Sequence, residues 1–133
     1  MDVIATGLQS FILYFGTAVG LVALYLVVYS VATKHDELGL IRQNVLSAAL
    51  ALSLSLIGFA LPLSSAVVRA QSVLDPIVWG IVAIAVQILA YWLVRVLVPR
   101  LSERIAAGEM SAALLLGAAS LAAGIINAAA MGA

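Results

Sequence analysis

The sequence predicts an all-α integral membrane protein: four transmembrane helices in two tandem hairpins, with both termini outside. Three observations predict it. Of the 133 residues, 65% are hydrophobic and 9% charged, against about 45–50% and about 25% in an ordinary soluble domain. The apolar residues fall in four long runs, each near the roughly 20 residues that cross about 30 Å of hydrocarbon. The cations gather in two of the three connecting loops, which predicts an orientation. The same composition excludes several classes. A mean hydropathy of +1.24 is incompatible with disorder. Six Lys+Arg against six Asp+Glu leave no basic footprint for nucleic acid. Without cysteine there is no disulfide framework or thiolate site, and a single histidine excludes a multi-histidine metal centre.

The first apolar run covers about Leu8 to Ala32 and carries no charge. Lys34-His35-Asp36-Glu37-Leu38-Gly39 breaks it. The second covers about Val45 to Val68, with Asn44 expected as its N-cap and Pro62 expected to bend it. The third covers about Ile77 to Val98; Asp75-Pro76 reads as an N-cap followed by a first-position proline, and Pro99 closes it. The fourth covers about Ser111 to Met131, with Glu109 where a helix N-terminus favours negative charge. Runs such as Leu21-Val22-Ala23-Leu24-Tyr25-Leu26-Val27-Val28 do not alternate, which excludes a β-barrel. Tyr14, Trp79 and Trp92 read as interfacial or lipid-facing aromatics.

Lys34 and Arg42 lie in the first loop; Arg95, Arg100 and Arg104 lie in or beside the third; Arg69 stands alone in the second. Loops one and three are therefore expected in the cytoplasm, with both termini outside. No basic segment precedes the first run, so it is expected to remain in the mature protein rather than serve as a cleaved signal.

The chain is expected to form one membrane domain, 1–133, with hairpin repeats at 8–68 and 77–131. Ser47-Ala48-Ala49-Leu50 opens the second helix as Ser111-Ala112-Ala113-Leu114 opens the fourth. A one-residue slip would instead pair Asn44 with Glu109 and Ser55 with Ser120. Upstream, Tyr25 aligns with Tyr91, Tyr29 with Arg95 and Glu37 with Glu103. Consecutive hairpins enter from one side, so the repeats are parallel, with a pseudo-axis along the membrane normal.

These elements resemble the bacterial family called domain of unknown function 350, the YjfL-like inner-membrane proteins. The matching stretches are Asp36-Glu37 with Asn44-Val45-Leu46-Ser47-Ala48, then Ser102-Glu103 with Gly108-Glu109-Met110-Ser111-Ala112. Gly124-Ile125-Ile126-Asn127-Ala128-Ala129 is the most family-like segment, and the resemblance covers about Leu8 to Met131. Gln43 before Asn44, and Glu109 where a second asparagine would stand, depart from the pattern. The resemblance implies an inner-membrane location and this architecture; it implies no reaction.

Candidate functional residues are sparse. Arg95 is the one ionisable side chain within a span, either snorkelling to the interface or pairing with Asp36 or Glu37. Gln87, Ser55, Ser120 and Thr17 fall at similar depth on four helices. Gln87, Tyr91 and Arg95 share a face at steps of four. Together with Asn127, near the outer end of the fourth helix, they form a candidate polar track; the competing reading is interhelical hydrogen bonding. Gly16 and Gly20 on the first helix, and Gly117 and Gly124 on the fourth, are expected to let backbones pack closely. His35, Asp36 and Glu37 form a candidate docking loop, or a solvated turn.

The function expected is a structural or accessory membrane protein, oligomeric with copies of itself, whose cytoplasmic loops dock a cytoplasmic or membrane protein. The alternative is an oligomeric channel for small ions or solutes lined by the polar face of the third helix. No phosphate loop, zinc-binding helix motif or nucleophile elbow occurs, so neither cofactor nor catalysis is expected. Four-helix proton-coupled multidrug exporters need an acid within the first helix, and this helix has none.

Overall fold

The computed structural model describes residues 2–33 and 37–132. A long helix, a short helix and a long helix follow one another, and the pattern then recurs. The elements are α1 (Asp2–Ala32), α2 (Glu37–Arg42), α3 (Leu46–Val68), α4 (Leu74–Leu97), α5 (Leu101–Ala106) and α6 (Met110–Met131). The four long helices are each apolar and long enough to cross a membrane. At about 1.5 Å per residue, α3, α4 and α6 measure roughly 33–36 Å and α1 roughly 46 Å. α1 starts at Asp2 rather than near Leu8, because nothing in its first turns breaks a helix.

The sequence reading places no helix in the two charged loops, yet each contains one. α5 buries Leu101, Ser102 and Ile105, whose spacing gives a single inward face. From α2, Leu40 and Ile41 pack against the same core. Both short helices end alike. The Asn44 N–H donates to the Ile41 carbonyl at 2.9 Å and the Val45 N–H to the Leu40 carbonyl at 3.0 Å. The Gly108 N–H donates to the Ile105 carbonyl and the Glu109 N–H to the Arg104 carbonyl, each at 3.0 Å. This is the Schellman pattern, and its left-handed residue is Asn44 (φ 66°) in one case and Gly108 (φ 89°) in the other.

Two capping expectations are corrected, and a third holds. Asn44 closes α2 instead of capping α3, whose cap position is Val45 without a side-chain bond. Asp75 is inside the first turn of α4, whose cap position is Val73; its Oδ2 accepts the Gln71 N–H at 2.9 Å. Pro76 is tolerated there because the first N–H groups of a helix have no internal partner. Glu109 does hold the cap position of α6, without a side-chain cap bond. Its Oε1 accepts instead from Arg104 Nε at 3.0 Å.

α3 and α6 run parallel and make the closest pair. Gly124 lies against the Gly58 carbonyl, leaving no room for a Cβ. A Cβ at Gly58 would meet the Ser120 carbonyl carbon at 2.8 Å, and one at Gly117 would stand 2.9 Å from Leu54 Cβ. Backbone approach of this kind is what small residues permit in lipid. α3 stays helical through Pro62, which is buried in the bundle. α4 packs against both α3 and α6, and α1 against α3 and α4. Leu21 of α1 seats on Gly80 of α4, and Tyr25 stacks on Phe59 of α3 with centroids 4.5 Å apart. Gly16 and Gly20 take no part in the close packing within the chain. Both are exposed, and nothing lies within 4 Å of where their Cβ atoms would be.

Candidate functional site

A ring of uncharged polar groups lies where the four long helices meet. The Tyr25 hydroxyl of α1 and Ser55 Oγ of α3 are 2.8 Å apart. Ser55 Oγ donates to Ser120 Oγ of α6 at 3.4 Å. Gln87 Nε2 of α4 donates to the Ser120 carbonyl at 3.0 Å. Each of these side chains is at most 1% exposed. The ring forms here because Gly58 and Gly124 draw α3 and α6 together, bringing the Ser120 backbone within reach of Gln87. That carbonyl has a second lone pair beyond its helical bond.

One tier closer to α2 and α5, Tyr91 Oη lies 2.7 Å from Ser102 Oγ and fixes α5 to α4. Ser47 Oγ donates to the Ile105 carbonyl at 2.6 Å and fixes α5 to α3. Tyr29 packs edge-on to Tyr91 at 6.3 Å and tilted on Tyr25 at 5.8 Å. The buried tyrosines thus link the two tiers.

The structure brings together Ser55, Gln87 and Ser120 of the expected track, and adds Tyr91 through the second tier. It leaves Thr17 out. That hydroxyl donates to the Leu13 carbonyl of its own helix at 2.7 Å, and Tyr25 takes the place expected for it. Arg95 stands apart from the ring, partly exposed in the last turn of α4, and forms no ion pair among the described residues. The two ion pairs seen near it in sequence are Arg100 Nε with Glu103 Oε2 at 2.7 Å and Arg104 Nε with Glu109 Oε1 at 3.0 Å. Asn127 is buried on α6, and its Nδ2 has no partner among the described residues. Gln87 Oε1 is likewise buried without one. Of the docking loop, His35, Asp36 and the Glu37 side chain lie outside the described residues, as do Asp36 and Glu37 as partners for Arg95.

Sequence reasoning missed Tyr25, Ser47 and Ser102 as polar contacts. The signal available for Tyr25 was its place with Leu21 and Tyr29 on one face of α1; all three are buried. Chemically, the ring consists of hydroxyls, one amide and one backbone carbonyl. It can bind through hydrogen bonds and order four helices, and none of its groups carries charge at neutral pH.

The chain matches the family described as Domain of Unknown Function (DUF350) over residues 3–131. It is 41% identical over 128 residues to the UPF0719 inner membrane protein YjfL of Escherichia coli strain K12, covering 96% of this chain and 97% of that protein. The same figures hold for the YjfL protein of Escherichia coli O157:H7. No solved structure matches. The chain belongs to the DUF350 family, and with four apolar spans of its own it is an inner-membrane protein.

Proposed function

We propose that this DUF350 member is an accessory membrane protein, not an enzyme, which associates with copies of itself and docks a protein partner through the loops bearing α2 and α5. The observation that carries this reading is the burial of Gln87 and Tyr91, each 1% exposed. A conduit lined by that face, between protomers, needs those side chains at the surface. Sealed inside, they act as the hydrogen-bonding glue of a bundle. The outward features are of another kind. α1 is exposed along most of its length, including Gly16 and Gly20, and this small-residue surface suits a second copy.

The reading includes two finer features. The chain is a parallel tandem repeat, 8–68 and 77–131, supported by the recurring long–short–long order and by the paired left-handed caps at Asn44 and Gly108. The loops bearing α2 and α5 face the cytoplasm and both termini face out, supported by five of the six cations falling in or beside the first and third loops of the sequence. The channel alternative draws on the partnerless Gln87 Oε1, since a buried unpaired acceptor is a place where water can enter.

Three measurements test this reading, and the first separates it from the alternative. In liposomes, the accessory reading expects ion flux equal to that of empty vesicles, whereas a conduit gives flux that Gln87→Leu alters. The chain has no cysteine, so Gly20→Cys is a clean crosslinking probe. Dimers formed in native membranes support self-association through α1; monomer alone, with a dye showing the thiol reactive, refutes it. Capture of a partner that Asp36→Ala with Glu37→Ala abolishes would support docking by the first loop.

A further inference from the structure

At the end of the bundle opposite α2 and α5, the α3–α4 loop and the end of α6 enclose a recess of about 180 Å³. Its walls include Arg69, Gln71, Asp75, Trp79 and Met131. Two charges of opposite sign face this space without pairing, for the ion pairs among the described residues are Arg100–Glu103 and Arg104–Glu109. Each is held by its own backbone surroundings. The Arg69 guanidinium lies against Gly132, just past the last turn of α6, where helix carbonyls favour a cation. Asp75 Oδ2 accepts the Gln71 N–H, which leaves Oδ1 open. The guanidinium N–H groups of Arg69 make no hydrogen bond among the described residues, while its backbone N–H donates to the Ser65 carbonyl. Trp79, 42% exposed, contributes an indole one turn further into the helix.

We propose that this recess binds the headgroup of phosphatidylethanolamine. The phosphate would take the fork of donors on Arg69, a match that guanidinium geometry favours. The primary ammonium would donate to Asp75 and lie near the Trp79 face. A recess holding one cation and one anion selects a zwitterion over an anionic lipid, which Asp75 would repel. It selects ethanolamine over choline because a quaternary ammonium has no N–H to donate. The acyl chains would run down the exposed flank of α4 past Val78 and Val82.

Trp79 makes the site measurable. Trp92→Phe removes the other tryptophan, and Trp79 fluorescence is then quenched by vesicles of brominated phosphatidylcholine. Non-brominated competitors are mixed in, and their relative binding constants are read from the recovered fluorescence. Phosphatidylethanolamine is expected to compete about five-fold better than phosphatidylcholine, the effect of one partly exposed ionic contact, and phosphatidylglycerol no better. Asp75→Asn is expected to return the ratio to about one, and Arg69→Gln to weaken both lipids together, because both carry the phosphate. Asn keeps an amide oxygen for the Gln71 N–H, so the loop stays closed, and circular dichroism verifies the fold of both. Equal competition by phosphatidylethanolamine and phosphatidylcholine in the parent overturns the proposal. So does an equal gain with phosphatidylglycerol, or a preference that survives Asp75→Asn.

Discussion

Gly124→Ala is expected to destabilise the bundle by about 2 kcal/mol, although the same change is helix-favouring elsewhere in this chain. The added Cβ falls on the Gly58 carbonyl. That is backbone against backbone, so no side chain can turn aside to make room. Overpacking of this kind costs about 1–3 kcal/mol, and the rigid neighbour places Gly124 near the top of that range. Alanine recovers up to about 1 kcal/mol of helix propensity, which leaves a net loss near 2. Gly16→Ala and Gly20→Ala provide the contrast. Nothing lies within 4 Å of either Cβ position, so only the propensity gain of up to about 1 kcal/mol remains. The two kinds of glycine therefore differ by about 3 kcal/mol, more than a hundred-fold in the folding equilibrium. Reversible unfolding in mixed detergent–SDS micelles, followed by circular dichroism on dilute monomer, measures the difference. Gly124→Ala matching the parent, or Gly16→Ala losing as much as Gly124→Ala, would refute the packing argument.

Other substitutions have equally specific outcomes. Gly108→Ala forces a Cβ into a left-handed residue (φ 89°) and is expected to cost about 1–2 kcal/mol in the same titration. Asn44→Gly, at the corresponding cap of α2, is expected to be neutral within about 0.5 kcal/mol, since glycine adopts that conformation freely. Gln87→Leu removes one bond but also an unpaired buried acceptor, so a loss below about 1 kcal/mol is expected. Gln87→Glu, which places a carboxylate at the same depth, is expected to cost about 3 kcal/mol above neutral pH. Equal losses for the two Gln87 variants would show that the site is already wet.

The four spans were legible because crossing a bilayer demands length and apolarity, and little else in a sequence satisfies both. The caps were not, for a reason visible at Asn44. With α2 unrecognised, there was no helix end for Asn44 to close, so capping α3 was the role left to it. α2 and α5 are six residues each, below the length at which hydrophobic periodicity becomes readable. Three of the four residues converging at mid-depth were found by counting inward from the ends of their helices. Thr17 failed the same count because α1 starts at Asp2 and its buried face begins at Leu21. Counting assumes that each helix is centred on the bundle, and α1 is not. The exposure of Gly16 and Gly20 was equally out of reach. Small-residue spacing says that a backbone can be approached, not which neighbour approaches it.

The ring's bonding pattern makes its two serines unequal, although their side chains touch. Gln87 is anchored on the Ser120 carbonyl, not on its hydroxyl. Ser120→Ala therefore keeps the strongest tie between α4 and α6 and loses only the 3.4 Å contact with Ser55, at the long limit for an O–H···O bond. Ser55→Ala removes that contact and also the 2.8 Å bond to the Tyr25 hydroxyl. Intramembrane hydrogen bonds average about 0.6 kcal/mol and reach about 1.7. Ser120→Ala is expected near zero and Ser55→Ala at about 1–1.5 kcal/mol. Equal losses for the two serines would mean that the ring is held by the hydroxyl chain rather than by the backbone approach at Gly58 and Gly124.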